Sequence, residues 1–180
     1  LQENAPGGIR KIHFSNLSGK RIVIDTSIYL YRFKSEDCLI ENMYLLISLL
    51  KHYNIEPIFV FDGPAPKEKR ELILERRRNK EIAKKSFNTL KERLNESNED
   101  YEKMEISLQI DKLKKTIVTI TKAEINEIKE LLDVYGVNYL TAKGEADQLC
   151  SKMVQKKIAH ACLSEDMDLF VYGCNRVLRY

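Results

Sequence analysis

Three short apolar runs in this chain each lead straight into acidic residues. Ile22-Val23-Ile24 runs into Asp25, and Pro57-Ile58-Phe59-Val60-Phe61 into Asp62. Ile158-Ala159-His160-Ala161-Cys162-Leu163 runs into Ser164-Glu165-Asp166-Met167-Asp168. Runs of this length, bounded by polar residues, read as buried strands. Between the first two, residues 26–34 and 39–54 carry apolar positions at helical spacing, notably Leu39, Ile40, Met43, Leu46, Ile47 and Leu50. Strand, helix and strand in succession predict a parallel sheet with a right-handed crossover. In an open α/β sheet, chemistry gathers beyond the carboxyl ends of the strands, so the acids are expected along one edge.

Such a cluster has a physical cost. Two like charges ~4 Å apart repel by about 1 kcal/mol in water and about 4 kcal/mol at an effective dielectric of 20. Taken singly, each acid is explained as a strand terminator or helix cap. Taken together they call for divalent cations, and an oxygen-only donor set favours Mg²⁺ or Mn²⁺ over zinc. A fourth acidic segment, Lys143-Gly144-Glu145-Ala146-Asp147-Gln148, falls one strand-helix step before Asp166 and Asp168. Acids in a first helical turn are also favoured by the helix dipole alone. Glu145 and Asp147 diverge on a regular helix, so a shared site requires a helix start between them or metals at different distances.

The remaining chain predicts further α/β elements. Residues 122–134 read as a helix closing at Gly136, 137–140 as a short strand and 144–154 as a helix. The strand before the last acidic pair is expected over 159–163, and another over 176–180. Residues 1–20 read as an irregular lead-in, and the start on Leu1 leads us to expect a chain truncated at its beginning. The stretch 67–85 differs in character, with nine Lys/Arg against four Glu and almost no apolar stripe. Lys69, Arg76 and Lys80 fall near one stripe of a helix there. A solvated helix laced by Glu-Lys pairs explains the segment as well as a nucleic-acid surface does. Residues 86–115 stay polar, with a break expected at 95–100. Tyr29, Tyr31 and Phe33 follow Asp25 closely, and one of them could stack on a nucleobase; core packing is the alternative for each.

Composition narrows the class. A hydrophobic share of 43% beside a charged share of 32% describes a soluble globular chain, and a net charge of +3 does not by itself name an anionic partner. No apolar run reaches the length of a membrane span, so no membrane partner is expected. The four cysteines and three histidines form no zinc-binding spacing, which predicts free thiols in a reducing, intracellular compartment. No P-loop fits, because Ser18-Gly19-Lys20 lacks the earlier glycine, and no Ser or Cys nucleophile has a placed His. Metal-assisted attack of water on a phosphodiester is the chemistry left, with cations beside the carboxylates to offset phosphate charge.

The motifs resemble those of the flap endonuclease/XPG family of structure-specific 5′ nucleases. Ile22-Val23-Ile24-Asp25-Thr26-Ser27 resembles its first acidic motif and Phe59-Val60-Phe61-Asp62-Gly63-Pro64-Ala65-Pro66 its second. Gly144-Glu145-Ala146-Asp147 and Ser164-Glu165-Asp166-Met167-Asp168 resemble the remaining two. The resemblance implies a PIN-like/resolvase-like α/β fold with a mostly parallel central sheet and a basic helical arch inserted over about 67–120. It implies a single nuclease domain, two Mg²⁺ ions (Mn²⁺ as substitute) and Asp25, Asp62, Glu145, Asp147, Asp166 and Asp168 as ligands. Lys69 and Arg76 match the arch cations on the scissile phosphate, with Asp166 beside them in catalysis, and Tyr31 matches the stacking aromatic; Lys80 joins the expected DNA contacts. The implied activity is cutting of 5′ flaps, with 5′→3′ exonuclease action, in DNA replication and repair.

The implied partner is branched DNA with a 5′ flap or a single-stranded 5′ end. A monomer is expected, nuclear if eukaryotic and otherwise cytoplasmic, with a sliding clamp reached through a region outside this chain. The family's N-terminal Met-Gly-Ile segment, its seventh carboxylate and its helix-two-turn-helix are missing from this chain, so truncation is expected at both ends. Exonuclease, excision-repair and junction-resolving branches, an RNA-directed nuclease and a non-catalytic DNA-binding scaffold are the competing readings.

Overall fold

A computed structural model describes residues 6–96 and 100–179. Its centre is a five-stranded sheet of order β3-β2-β1-β4-β5, built from β1 (Arg21–Asp25), β2 (Glu56–Phe61), β3 (Asn138–Thr141), β4 (Ala161–Leu163) and β5 (Val177–Leu178). All four pairings are parallel. The apolar runs form the interior strands because a parallel sheet covered on both faces needs apolar side chains at every position. After its first residue, β1 is buried throughout, and so is β2.

Alternation along β1 divides the core. Ile22 and Ile24 face a cluster that includes Tyr29, Phe33, Met43, Ile47, Ile128 and Leu132, supplied by α1 (Thr26–Ser35), α2 (Leu39–His52) and α5 (Lys122–Val134). Val23 faces the other side, among Val60, Cys150, Met153 and Leu169, where α6 (Ala146–Gln155) and α7 (Asp168–Val171) pack. Helix α5 opens on a capping box: the Thr121 side chain accepts from the Glu124 N–H, and Glu124 accepts from the Thr121 N–H. Gly136 follows with φ of +62°, the left-handed turn expected at that helix end. All four cysteines are free. No helix among the described residues is long and apolar enough to cross a membrane.

The chain builds β1, β2 and β3 outward in one direction, then returns to place β4 on the other side of β1. The order therefore reverses between β1 and β4, and in open α/β sheets the space beyond the carboxyl ends at such a reversal is where ligands bind. Ile24 is in register with both Phe59 and Leu163, so Asp25, Asp62 and the segment after Leu163 reach the same edge.

Between β2 and α5 stand two long helices, α3 (Arg70–Glu96) and α4 (Asp100–Ile117), which pack on each other. In α3 only Ala83 is buried, and in α4 only Ile106 and Ile110. At 27 residues, α3 is about 40 Å long, enough to project well past the sheet edge. The break expected at 95–100 includes residues 97–99, which lie outside the described residues. So do residues 1–5 of the lead-in and residue 180 of the last strand. Other boundaries coincide with the sequence expectation or differ from it by one or two residues. The clearest case is α6, expected from residue 144 but begun at Ala146, because Glu145 is its cap and has extended backbone (φ −79°, ψ 142°).

Candidate active site

Asp25 ends β1 and is 5% exposed. Its carboxylate accepts a hydrogen bond from Ser164 Oγ at 3.2 Å. Burial pushes the Asp25 carboxyl up to about 7, with the negative charges of Asp62, Asp147 and Asp166 adding to it and the Ser164 hydrogen bond opposing. Asp62, one residue past β2, accepts from the Ala146 N–H at 2.8 Å and from the Ser27 hydroxyl. Asp147 accepts from the Gln148 N–H at 2.6 Å. Its pKa is also raised, by burial first and then by Glu145 and Asp62, against the pull of Lys69. Asp166 accepts from the Asp168 N–H at 2.8 Å. Glu145, at the helix cap, pairs with Lys69. The helix start between Glu145 and Asp147 thus removes the divergence of a regular helix: Glu145 pairs with Lys69 while Asp147 lies within electrostatic reach of Asp62 and Glu145.

Asp25, Asp62, Glu145, Asp147 and Asp166 therefore lie in one electrostatic neighbourhood, while Asp168 joins it through its N–H on Asp166. Among the described residues, no group of three or more His, Cys, Asp or Glu is close enough as placed to hold a metal ion. Asp25, Asp62, Glu145, Asp147 and Asp166 are instead each oriented by a hydroxyl, a backbone N–H or Lys69. The donor chemistry fits a hard divalent cation: every candidate ligand is a carboxylate, and Asp25 carries a raised pKa that a nearby cation would relieve.

The basic residues divide. Lys69 sits in a 3₁₀ turn (Lys67–Lys69) before α3, so it does not share a regular helical stripe with Arg76 and Lys80. Arg76 lies on α3 and is exposed. The Lys80 ammonium donates to the Val118 carbonyl at 2.6 Å and lies 5.5 Å from the centre of the Tyr31 ring. Tyr31 itself is 46% exposed, whereas Tyr29 and Phe33 are core residues. Lys80 thus ties α3 to the end of α4 and to α1.

Two residues matter here for reasons no spacing pattern marks. Ser164 is fully buried, donating to Asp25 and accepting from the Asp166 N–H at 3.1 Å, so it couples the two carboxylate segments. Gly63 follows Asp62 where the chain passes β3; its N–H donates to the Gly144 carbonyl at 2.7 Å, and a Cβ there would meet the Ala142 carbonyl oxygen at 2.0 Å. The glycine of that motif is required by close backbone approach.

The XPG N-terminal domain model matches residues 1–83, and the XPG I-region model matches residues 136–180. The matched segments hold all six acids, in the order and on the elements just described. The chain belongs to the flap endonuclease/XPG family. Flap endonuclease 1 of Drosophila yakuba is 31% identical over the whole of this chain and 48% of its own length. The chain spans about half the length of the curated relatives it matches. Among solved structures, flap endonuclease-1 from Methanococcus jannaschii is 28% identical with a TM-score of 0.60, covering 94% of this chain and 56% of its own. The catalytic core of Rad2 in complex with a DNA substrate gives a TM-score of 0.70 at 24% identity, over 99% of this chain and 49% of its own, a likeness of fold. Residues 84–135, unmatched by either family model, hold most of the α3–α4 hairpin.

Proposed function

We propose that this protein is a metal-dependent, structure-specific DNA nuclease that cuts at the base of 5′ flaps, with 5′→3′ exonuclease action. The observation that carries the reading is the meeting of acids from β1, β2, the start of α6 and the exit of β4 at one sheet edge, at the foot of a basic hairpin. Asp25, Asp62, Glu145, Asp147, Asp166 and Asp168 would hold two Mg²⁺ ions, or Mn²⁺ in their place. Bound divalent cations supply a water of lowered pKa and neutralise charge on the leaving oxygen. Lys69 and Arg76, at the foot and on the shaft of α3, offset charge on the scissile phosphate. Ser164 keeps Asp25 and Asp166 at fixed relative positions, and Tyr31 offers its ring to a base.

In this reading residues 67–120 act as an arch over the site within a single nuclease domain, and the substrate is branched DNA bound by a monomer. A sliding clamp would be engaged outside this chain, and the setting is intracellular DNA replication and repair.

The test is to incubate the protein with 5′-flap, nicked, junction and single-stranded DNA, and with single-stranded RNA, in Mg²⁺ or EDTA. The reading expects Mg²⁺-dependent cutting at the flap base and none in EDTA. Equal cutting of single-stranded RNA would move the assignment to an RNase, and preferred cutting of junctions to the resolving branch.

A further inference from the structure

The acidic segment after β4 holds one carboxylate that the scheme above leaves unused. Glu165 stands between Ser164, which bonds Asp25, and Asp166, one of the acids assigned to the metal. Its carboxylate is taken up by α1: it accepts from Arg32 Nη1 at 2.7 Å, a contact between residues 133 positions apart.

The parts that bring the pair together are well anchored. Helix α1 starts directly after Asp25, which is its N-cap. Tyr29, one turn before Arg32, is fully buried and fastens the helix in the core. Arg32 lies about two turns beyond Asp25, roughly 10 Å along the helix. One turn further on, Glu36 approaches the Arg32 Nε at 3.6 Å and steadies the guanidinium through a second nitrogen.

The segment after β4 is therefore tied to β1 and α1 at two successive residues, by Ser164 Oγ to Asp25 at 3.2 Å and by Glu165 to Arg32. Asp166 and Asp168 follow at once, linked by the Asp168 N–H on the Asp166 carboxylate. A single tie leaves a short segment able to pivot, whereas two fix its direction. A misplacement of about 1 Å can cost on the order of 100-fold in rate.

Charge separates this role from a direct grip on DNA. Arg32 contributes one positive charge against two negative ones from Glu36 and Glu165, and a net-negative trio does not draw a phosphate. Nor is the pair there for bulk stability: its side chains are 44% and 35% exposed, and such ion pairs add little. Its value is geometric.

We propose that Arg32 is a positioning residue, whose ion pair with Glu165 fixes Asp166 and Asp168 relative to Asp25 for metal binding; the proposal rests on the nuclease reading above.

The experiment compares wild type with Arg32→Ala, Arg32→Lys, Glu165→Ala and the double alanine variant. Calorimetry with Mn²⁺ alone, without DNA, reads metal affinity; single-turnover cutting of 5′-flap DNA across a Mg²⁺ titration reads the consequence. The sign decides between causes, because removing a nearby positive charge by itself tightens cation binding, whereas losing the tie weakens it. Arg32→Ala should bind Mn²⁺ roughly 10- to 100-fold more weakly, need correspondingly more Mg²⁺ to cut, and melt close to wild type. Arg32→Lys should restore most of the affinity, and the double variant should be no worse than Arg32→Ala. If Arg32→Ala does not fold, Glu165→Gln carries the same expectation. Unchanged or tighter Mn²⁺ binding by Arg32→Ala, or single losses that multiply in full in the double variant, overturns the proposal. Absence of both cutting and Mn²⁺ binding by wild type sinks the nuclease reading instead. The tie is then judged by hydrogen exchange alone: the amides of 165–168 exchange faster in Arg32→Ala than in wild type, and equal exchange overturns it.

Discussion

Replacing Asp25 with Asn probes the charge of the carboxylate cluster while leaving its shape intact. Asp25 is 5% exposed, and burial with its acidic neighbours raises its carboxyl from the ordinary 3.8 to about 7. A group raised in this way binds its proton more tightly in the fold than in the unfolded chain. Its contribution to stability is fully present below pH 3.8 and is lost as pH rises through about 7. At pH 8 the charged side chain is therefore a liability in metal-free buffer. The gap to the ordinary value, at 1.36 kcal/mol per pH unit, sets a ceiling of about 4 kcal/mol. Asn carries no charge, and its Oδ1 still accepts from Ser164.

Allowing for relaxation of the neighbours, we expect Asp25→Asn to gain about 2 kcal/mol in EDTA at pH 8, roughly 4–8 °C in melting temperature for a chain of this size. The gain should shrink steadily as pH falls toward 4. Saturating Mg²⁺ should stabilise wild type more than the variant, by mass action on the cation-binding form. Thermal melts from pH 4 to 8, with EDTA or Mg²⁺, read all of this. An Asn variant no more stable than wild type at pH 8 in EDTA, or a difference that ignores pH, would refute the electrostatic reasoning.

Other expectations follow from single contacts. Gly63→Ala drives a methyl group into the Ala142 carbonyl, so β2 and β3 must part next to Asp62. A loss above about 2 kcal/mol in the urea midpoint, with loss of cleavage, is expected, and an unchanged midpoint contradicts the close approach. Glu124 is held down to about 2 by Lys34 and then by the Thr121 N–H. Its contribution is present above pH 4.5 and lost as pH falls through about 2. Glu124→Gln keeps the capping box but drops the ion pair with Lys34; it should cost about 0.5–1 kcal/mol at pH 7 and nothing near pH 2, as read by denaturation at each pH. The Tyr29 hydroxyl is buried without a hydrogen-bond partner among the described residues, so Tyr29→Phe should leave stability equal or about 1 kcal/mol higher in chemical denaturation.

Which features the sequence disclosed follows from how local their causes are. β1, β2 and β4 are legible because both faces of each are buried, which writes continuous apolar runs, and because each is followed by acid. The capping residues and apolar spacing of α5 mark it equally well. Helix α4 is less legible: Tyr101, Met104 and Leu108 are apolar yet exposed, so only Ile106 and Ile110 report its packing face, and α3 supplies the partner. The tie from Lys80 to Val118 and Tyr31 joins residues far apart in sequence. It depends on how the hairpin folds back, which no local pattern encodes. The same holds for Gly63, whose necessity appears only once β3 lies beside β2. Ser164 was visible as part of an acidic motif, but its bridge from Asp25 to Asp166 depends on β4 pairing with β1.

The central claim is that the acids at the sheet edge act as one metal-dependent cutting site on DNA. Its most direct measurement is cleavage of a 5′-flap duplex by wild type and Asp166→Ala across a Mg²⁺ titration, with protein folding checked by melting. The account predicts cutting by wild type that rises with Mg²⁺ and stops in EDTA, and a folded Asp166→Ala protein that cuts at least 100-fold more slowly, a loss of about 2.7 kcal/mol or more of transition-state stabilisation. Cutting that persists in EDTA, or an Asp166→Ala protein as active as wild type, would contradict it.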